Sequence, residues 1–262
     1  MSTDRPESWR VSYDLAALAL YRGVGGGSPH ISRPMTVLDQ ISLKGKVALV
    51  TGGEGLLGRM MCETVRELGG TALSLDIAGQ PNIYGDVADQ QAMFYMAHTR
   101  FEKLDILINN AVGNQKPVPK YDFGWDADLR VGLTGCMNMM RACEAALMAA
   151  NGVVLNIGSD MSLIAPDQSL YPEGMVKPLS YSVIKHGMLG MTRYFAQLWG
   201  GQVRVNLLCP GGVQQGQNVP RCPMNRLAEI AEMKGPVAFL ISDLSSYMTG
   251  AFLAVDGGRT AI

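Results

Sequence analysis

Tyr181 and Lys185 stand four residues apart in the run YSVIK, a spacing that puts both on one face of a helix. A nearby ammonium favours the phenolate, so Lys185 is expected to lower the Tyr181 pKa and make the phenol a general acid/base. Ser159 closes the run GVVLNIGS, where its hydroxyl can bond a reacting oxygen as charge develops on it. Alone, a Tyr-x-x-x-Lys pair is more often a solvated helix face, and a Ser in that place a turn residue. They gain meaning from TGGEGLLG, residues 51–58, which follows the strand-like KVALV and precedes the helical RMMCETVREL. Gly53, Gly55 and Gly58 give G-x-G-x-x-G, and Gly52, Gly55 and Gly58 an evenly spaced variant. Such a turn holds a dinucleotide pyrophosphate: helix-terminal N–H groups face the anion, and glycine lets phosphate approach the backbone.

Asp76 closes TALSLD, 18 residues beyond Gly58, where its carboxylate can accept both hydroxyls of an adenosine ribose. A 2′-phosphate there meets like-charge repulsion, about 4 kcal/mol per unit-charge pair at 4 Å and an effective dielectric of 20. Glu54 adds negative charge, and the turn has no Lys or Arg before Arg59. NAD is therefore expected over NADP.

These residues need a frame, and the chain supplies alternating short apolar runs and longer helical stretches. Strands are predicted at residues 46–50, 71–76, 83–87, 104–111, 152–159, 203–210 and 250–258, with long helices at 125–150 and 181–199. Repeated β-α units with apolar strands imply an α/β fold, a Rossmann-like doubly wound parallel sheet in a single domain. Every candidate residue falls at a strand's carboxyl end, where such sheets bind ligands. Residues 1–40 stand apart as an N-terminal arm and linker, rich in Gly, Pro and Ser at RGVGGGSPHISRP, and 41–262 are expected to form the Rossmann-like domain.

Composition narrows the class. The 262 residues are 47% hydrophobic with a formal net charge of −1, which argues against a nucleic-acid or membrane-surface partner. Five scattered cysteines without C-x-x-C, and three histidines, offer neither a disulfide framework nor a metal site. No apolar run approaches the ~18 residues that span a bilayer. A cytoplasmic protein without a secretory signal is expected. The two long helices carry apolar residues, among them Met137, Met139, Met140, Met188 and Met191, enough for a second stripe beyond the one facing the sheet. That predicts a homodimer or homotetramer.

Taken together the chain resembles the short-chain dehydrogenase/reductase family over residues 42–260. The resemblance rests on TGGEGLLG, GDV, NNA, NIGS, YSVIK, RVNLLCPGG and VDGG in family order. It implies a Rossmann fold, nicotinamide hydride transfer and a homo-oligomer built through the long helices. Tyr181 would be the acid/base, Lys185 would hold the nicotinamide ribose and tune Tyr181, and Ser159 would polarise the substrate carbonyl. Gly52, Glu54, Gly55, Leu57, Gly58 and Asp76 belong to the cofactor side. Asp86 and Val87 would flank the adenine, Asn110 and Ala111 would line the cofactor, and Pro210, Gly211 and Val213 would meet its nicotinamide end. No metal is implied.

Three departures qualify the resemblance. Compact members carry T-G-x-x-x-G-x-G, whereas Leu56 holds the sixth position here, a spacing nearer the extended branch that acts on nucleotide sugars. Too few residues follow VDGG for that branch's added domain, so a compact form with a variant turn is expected. The Asn that in the family supports a water chain to the Lys is Gly132 in VGLTG, leaving space that water could occupy. An insertion separates Ser159 from Tyr181, and the run VQQGQNVPRCPMNR reads as a shortened lid. Asp160, Asp167, Gln168, Tyr171 and Glu173 of the insertion could contact a hydroxylated substrate or form a surface loop. The expected activity is NAD(H)-dependent interconversion of a secondary alcohol and a ketone on a sugar or sugar derivative. Alternatives are an NAD-binding protein with little turnover, and a sugar epimerase or dehydratase that retains its NAD.

Overall fold

Short runs of Val, Ile and Leu set the frame in the computed structural model, which describes residues 35–113, 116–120, 124–213 and 221–261. Most of the expected arm (1–34) and part of the expected shortened lid (214–220) lie outside them. The chain forms α1 (Val37–Ile41), β1 (Val47–Thr51), α2 (Leu56–Glu67), β2 (Thr71–Asp76), β3 (Ile83–Tyr84), α3 (Gln90–Arg100) and β4 (Ile106–Asn109). β5 (Val118–Pro119), α4 (Trp125–Leu129), a π-helical segment (Arg130–Gly135), α5 (Cys136–Ala150), β6 (Val153–Ile157) and β7 (Met175–Val176) follow. The chain continues with α6 (Leu179–Leu198), β8 (Arg204–Pro210), α7 (Lys234–Ile241) and β9 (Phe252–Val255).

Seven strands make one parallel sheet in the order β3-β2-β1-β4-β6-β8-β9. Winding reverses between β1 and β4, so the crevice at their carboxyl ends is the natural ligand position. Successive strand residues feed opposite faces. Leu49, Leu107 and Val154 join Met93, Met139, Met140, Ile184 and Met188 from α3, α5 and α6. Val50, Ile108 and Leu155 join Met61, Val65, Val237 and Leu240 from α2 and α7. Burial of both faces is why the strands read as continuous apolar runs rather than alternating ones.

Two expectations change. The helix predicted over 125–150 is interrupted by the π segment, which contains Gly132 and Gly135, both buried. Of the methionines on the two long helices, Met139, Met140 and Met188 are core, whereas Met137 and Met191 are half-buried. Leu179, Val183, Tyr194 and Leu198 of α6 are the large apolar side chains that these helices leave exposed. β5 and β7 pair antiparallel, tying the insertion to the segment after β4, with Val118 opposite Val176. All five cysteines are free and buried. Among the described residues no helix is long and apolar enough to cross a membrane, and no cluster of His, Cys, Asp and Glu could hold a metal.

Candidate active site

The glycine-rich turn packs against the first turn of α2 so tightly that side chains are excluded. A Cβ on Gly58 would sit 2.1 Å from the Gly52 carbonyl oxygen, and one on Gly53 2.5 Å from Ser74 Cβ. Gly52 adopts φ +61°, and a Cβ there would press on Ala111 and Asn110. Gly55 caps α2 with no side-chain acceptor, so the first-turn N–H groups near Leu56 and Leu57 keep their donors for an anion. A bare backbone cradle at a 12-residue helix N-terminus fits a dinucleotide pyrophosphate.

Asp76 stands at the end of β2 beside this turn. Its Oδ2 accepts from the Glu54 N–H at 2.9 Å, and its Oδ1 from the Ile77 and Ala78 N–H groups at 2.8 and 3.2 Å. The carboxylate is thereby aimed, and it retains lone pairs for ribose hydroxyls. Glu54 is partly offset by Arg59, whose Nη2 lies 3.3 Å from Glu54 Oε2. The negative field rests mainly on Asp76.

Asn110 Nδ2 donates to the carbonyls of Thr51 and Gly52 at 3.0 Å, and Thr51 Oγ1 accepts from the N–H groups of Asn110 and Ala111. These bonds brace the turn from the end of β4. Asp86 Oδ1 accepts from the Ala88 N–H, and the buried Val87 carbonyl accepts from Asn138 Nδ2. Gly211 donates its N–H to the Val255 carbonyl, and Val213 bridges Ala228 beyond the end of β8 at Pro210.

Ser159, Tyr181 and Lys185 are all buried and come together at the carboxyl end of β6. Lys185 Nζ donates to the Ile157 carbonyl at 2.6 Å and lies 5.6 Å from the Tyr181 ring centroid. Burial pushes the Lys185 ammonium down to about 8. The Tyr181 phenol moves opposite to expectation. Burial pushes it up to about 12, a hydrogen bond with Ser159 opposing and the Asp160 charge assisting. Desolvation outweighs the Ser159 hydrogen bond, so the resting phenol is a proton donor at neutral pH.

The space beside Gly132 is not open to water. A Cβ there would meet Ile184 Cγ2 and Cδ1 at 2.8 and 2.9 Å, and Ile184 is fully buried on α6. The insertion also differs from expectation. Asp160 is not available to a substrate: it is buried, its Oδ2 accepting from Arg259 Nη1 at 2.7 Å. Asp167 caps the turn at Ser169, and Gln168 Oε1 accepts from the Lys177 N–H. Lys177 places its Nζ 4.0 Å from the centroid of the Tyr181 ring. Sequence reasoning missed Lys177, Arg259 and Ile184. Only an Arg directly after VDGG, where the chain returns to the sheet's carboxyl edge, signalled any of them.

The chain is similar to several known proteins. A family model described as enoyl-(acyl carrier protein) reductase matches residues 45–260. Trans-4-hydroxycyclohexanecarboxylate dehydrogenase of Sinomonas cyclohexanicum is 33% identical over 216 residues, covering 78% of this chain and 79% of its own. D-threitol dehydrogenase of Mycolicibacterium smegmatis is 29% identical, covering 87% of this chain and 98% of its own. A crystal structure from Beutenbergia cavernae, provisionally described as an NAD(P)-dependent gluconate 5-dehydrogenase with NADP at low occupancy, has a TM-score of 0.73 and 28% identity. It covers 85% of this chain and 100% of that one.

Proposed function

The chain belongs to the short-chain dehydrogenase/reductase family, and we propose that it is an NAD(H)-dependent oxidoreductase interconverting a secondary alcohol and a ketone on a sugar or sugar derivative. The observation that carries this reading is the gathering of Tyr181, Lys185 and Ser159 at the β6 end of the sheet whose β1 end bears the bare glycine turn. The nicotinamide, when bound, would accept or give hydride. Tyr181 gives the substrate oxygen its proton in reduction and takes one in oxidation. Lys185, anchored on the Ile157 carbonyl, keeps a cation near the phenol as negative charge forms on it. A phenol held near 12 suits the reductive direction at neutral pH and makes oxidation faster as pH rises.

The relatives named above act on a hydroxy acid and a polyol, which supports a small hydroxylated substrate. Lys177, over the Tyr181 ring, would also favour a substrate carboxylate. A panel of polyols, sugars and hydroxy acids, assayed with NAD+ and NADP+, tests the proposal through formation of reduced cofactor. Binding of NAD without reduction of it on any member would favour the second reading, a binding protein with little turnover. The Ile184 side chain packed against Gly132 is the observation behind that reading.

Cofactor choice rests on Asp76. NAD(H) is expected to bind at least about tenfold more tightly than NADP(H), a fraction of the like-charge repulsion available there. Asp76→Ala should narrow the gap, and calorimetric titration of both cofactors measures it. Equal affinity in the parent would refute the role of Asp76.

Assembly as a homodimer or homotetramer belongs to the same proposal, through the outer face of α6 where Leu179, Val183, Tyr194 and Leu198 are exposed. Light scattering at micromolar concentration should give a multiple of 28.2 kDa. A monomer would remove this part of the proposal.

A further inference from the structure

A second set of contacts lies beside Tyr181, away from Lys185. Ser159 Oγ–H donates to Asp160 Oδ1 at 2.7 Å, and Arg259 Nη1–H donates to Asp160 Oδ2 at 2.7 Å. The Asp160 and Arg259 side chains are 3% and 7% exposed, so both charges are desolvated. Asp160 Oδ1 also accepts from the Met161 N–H at 2.7 Å, and Ser159 Oγ from the same N–H at 3.2 Å. A serine has one proton to donate. With that proton on Asp160, the hydroxyl is held off the Tyr181 oxygen, and its bond to that oxygen, which favours the phenolate, competes with its bond to Asp160. A buried ion pair adds little stability over apolar residues of similar size, so stability alone does not account for this one.

We propose that Asp160 and Arg259 act as positioning residues for the reaction: Asp160 sets the direction of the Ser159 hydroxyl, and Arg259 balances the Asp160 charge that would otherwise oppose ionisation of Tyr181. The proposal rests on Tyr181 being the acid/base. It ties the short turn after β9 (Arg259–Ala261) to the catalytic centre. The groups facing Tyr181 are Lys185 on its own helix, Lys177 before that helix, Ser159 and Asp160 after β6, and Tyr171 of the insertion. Of these, Asp160 and Tyr171 disfavour the phenolate through their charge, and Arg259 opposes the Asp160 charge from its ion pair with it.

The test follows the sign of each charge. Asp160→Asn keeps an acceptor for Ser159 and removes the negative charge, so the pH limb for alcohol oxidation moves to lower pH. Arg259→Met leaves the carboxylate unbalanced, so the limb moves to higher pH. Each shift should reach about half a unit or more, with kcat reduced about threefold or more and the KM for NAD within about twofold. Arg259→Lys and the Asp160→Asn/Arg259→Met double variant should keep the parent limb. D-threitol and gluconate serve as probe alcohols. The same signs are expected without substrate or cofactor, in the phenolate absorbance each variant loses when Tyr181→Phe is added to it. Thermal unfolding of the cofactor-free protein should show each single variant below the double one. Single variants that lose thermal stability while their limbs stay at the parent position would reduce the pair to a structural tie and overturn the proposal. Should both single variants fail to fold, a displaced limb in Arg259→Lys or in the double variant overturns it equally. Full activity in Tyr181→Phe would instead overturn the acid/base reading underneath, which separates the two failures.

Discussion

Tyr181→Phe is expected to lower turnover by about 10²- to 10⁴-fold, the usual contribution of a positioned general acid/base. The substitution keeps the buried ring and its contact with the Lys177 ammonium at 4.0 Å, and deletes only the hydroxyl that transfers the proton. NAD affinity should change by less than about 1 kcal/mol, because the anion cradle of the glycine turn lies elsewhere. Lys185→Ala should damage both rate and binding, since its ammonium serves the phenolate and the ribose side alike. Steady-state kinetics on the best panel substrate, with calorimetry for NAD, separates the two. Unchanged turnover in Tyr181→Phe would end the mechanism proposed for this site. The phenol also leaves a mark on stability. Its folded pKa of about 12 lies above the ordinary 10, so the stability it contributes is present below pH 10 and is lost as pH rises through 12. Over that window the cofactor-free parent should lose stability relative to Tyr181→Phe.

How far the site could be read from sequence depended on whether its determinants are local. β2 was expected at residues 71–76 and forms there, because TALSLD is bounded by turn residues and buried on both faces. The turn was legible because Gly52, Gly53 and Gly58 answer to contacts within a few residues or with the adjoining strand. Tyr181 and Lys185 share a helix face by spacing alone. Distant partners were not legible. β5 and β7 are two residues long, and only their mutual pairing across 58 positions makes them strands. Asp160 reads from the sequence as either a substrate contact or a surface-loop residue, and its partner Arg259 lies 99 positions away. The Tyr181 pKa was misjudged for the same reason. The Lys185 charge is visible in YSVIK, whereas the desolvation that raises the phenol comes from the whole packed site.

Gly132→Asn was the substitution that the family pattern alone would favour, since it restores the residue on which a water chain to the lysine is built. Packing now predicts harm. Gly132 is buried in the π segment, and even a Cβ there would lie 2.8–2.9 Å from two Ile184 carbons, one of them attached directly to the Ile184 Cβ. A β-branched side chain on a helix has little rotamer freedom with which to move aside, and Ile184 is 1% exposed among core neighbours. Adding atoms to such a place costs about 1–3 kcal/mol. For a chain of this size that lowers the melting temperature by roughly 2–4 °C per kcal/mol. The added amide would also need partners where Ile184 offers only carbon. Turnover is therefore expected not to rise, even in dilute buffer, where a missing proton route would be felt most. Ile184→Ala makes the complementary cavity, and the double variant should be more stable than the sum of the two single losses, because each change relieves the other. Thermal unfolding of the four proteins measures that coupling. A Gly132→Asn protein that gained turnover without losing stability would show that the space beside Gly132 accepts the amide, and the steric argument made from Ile184 would fall.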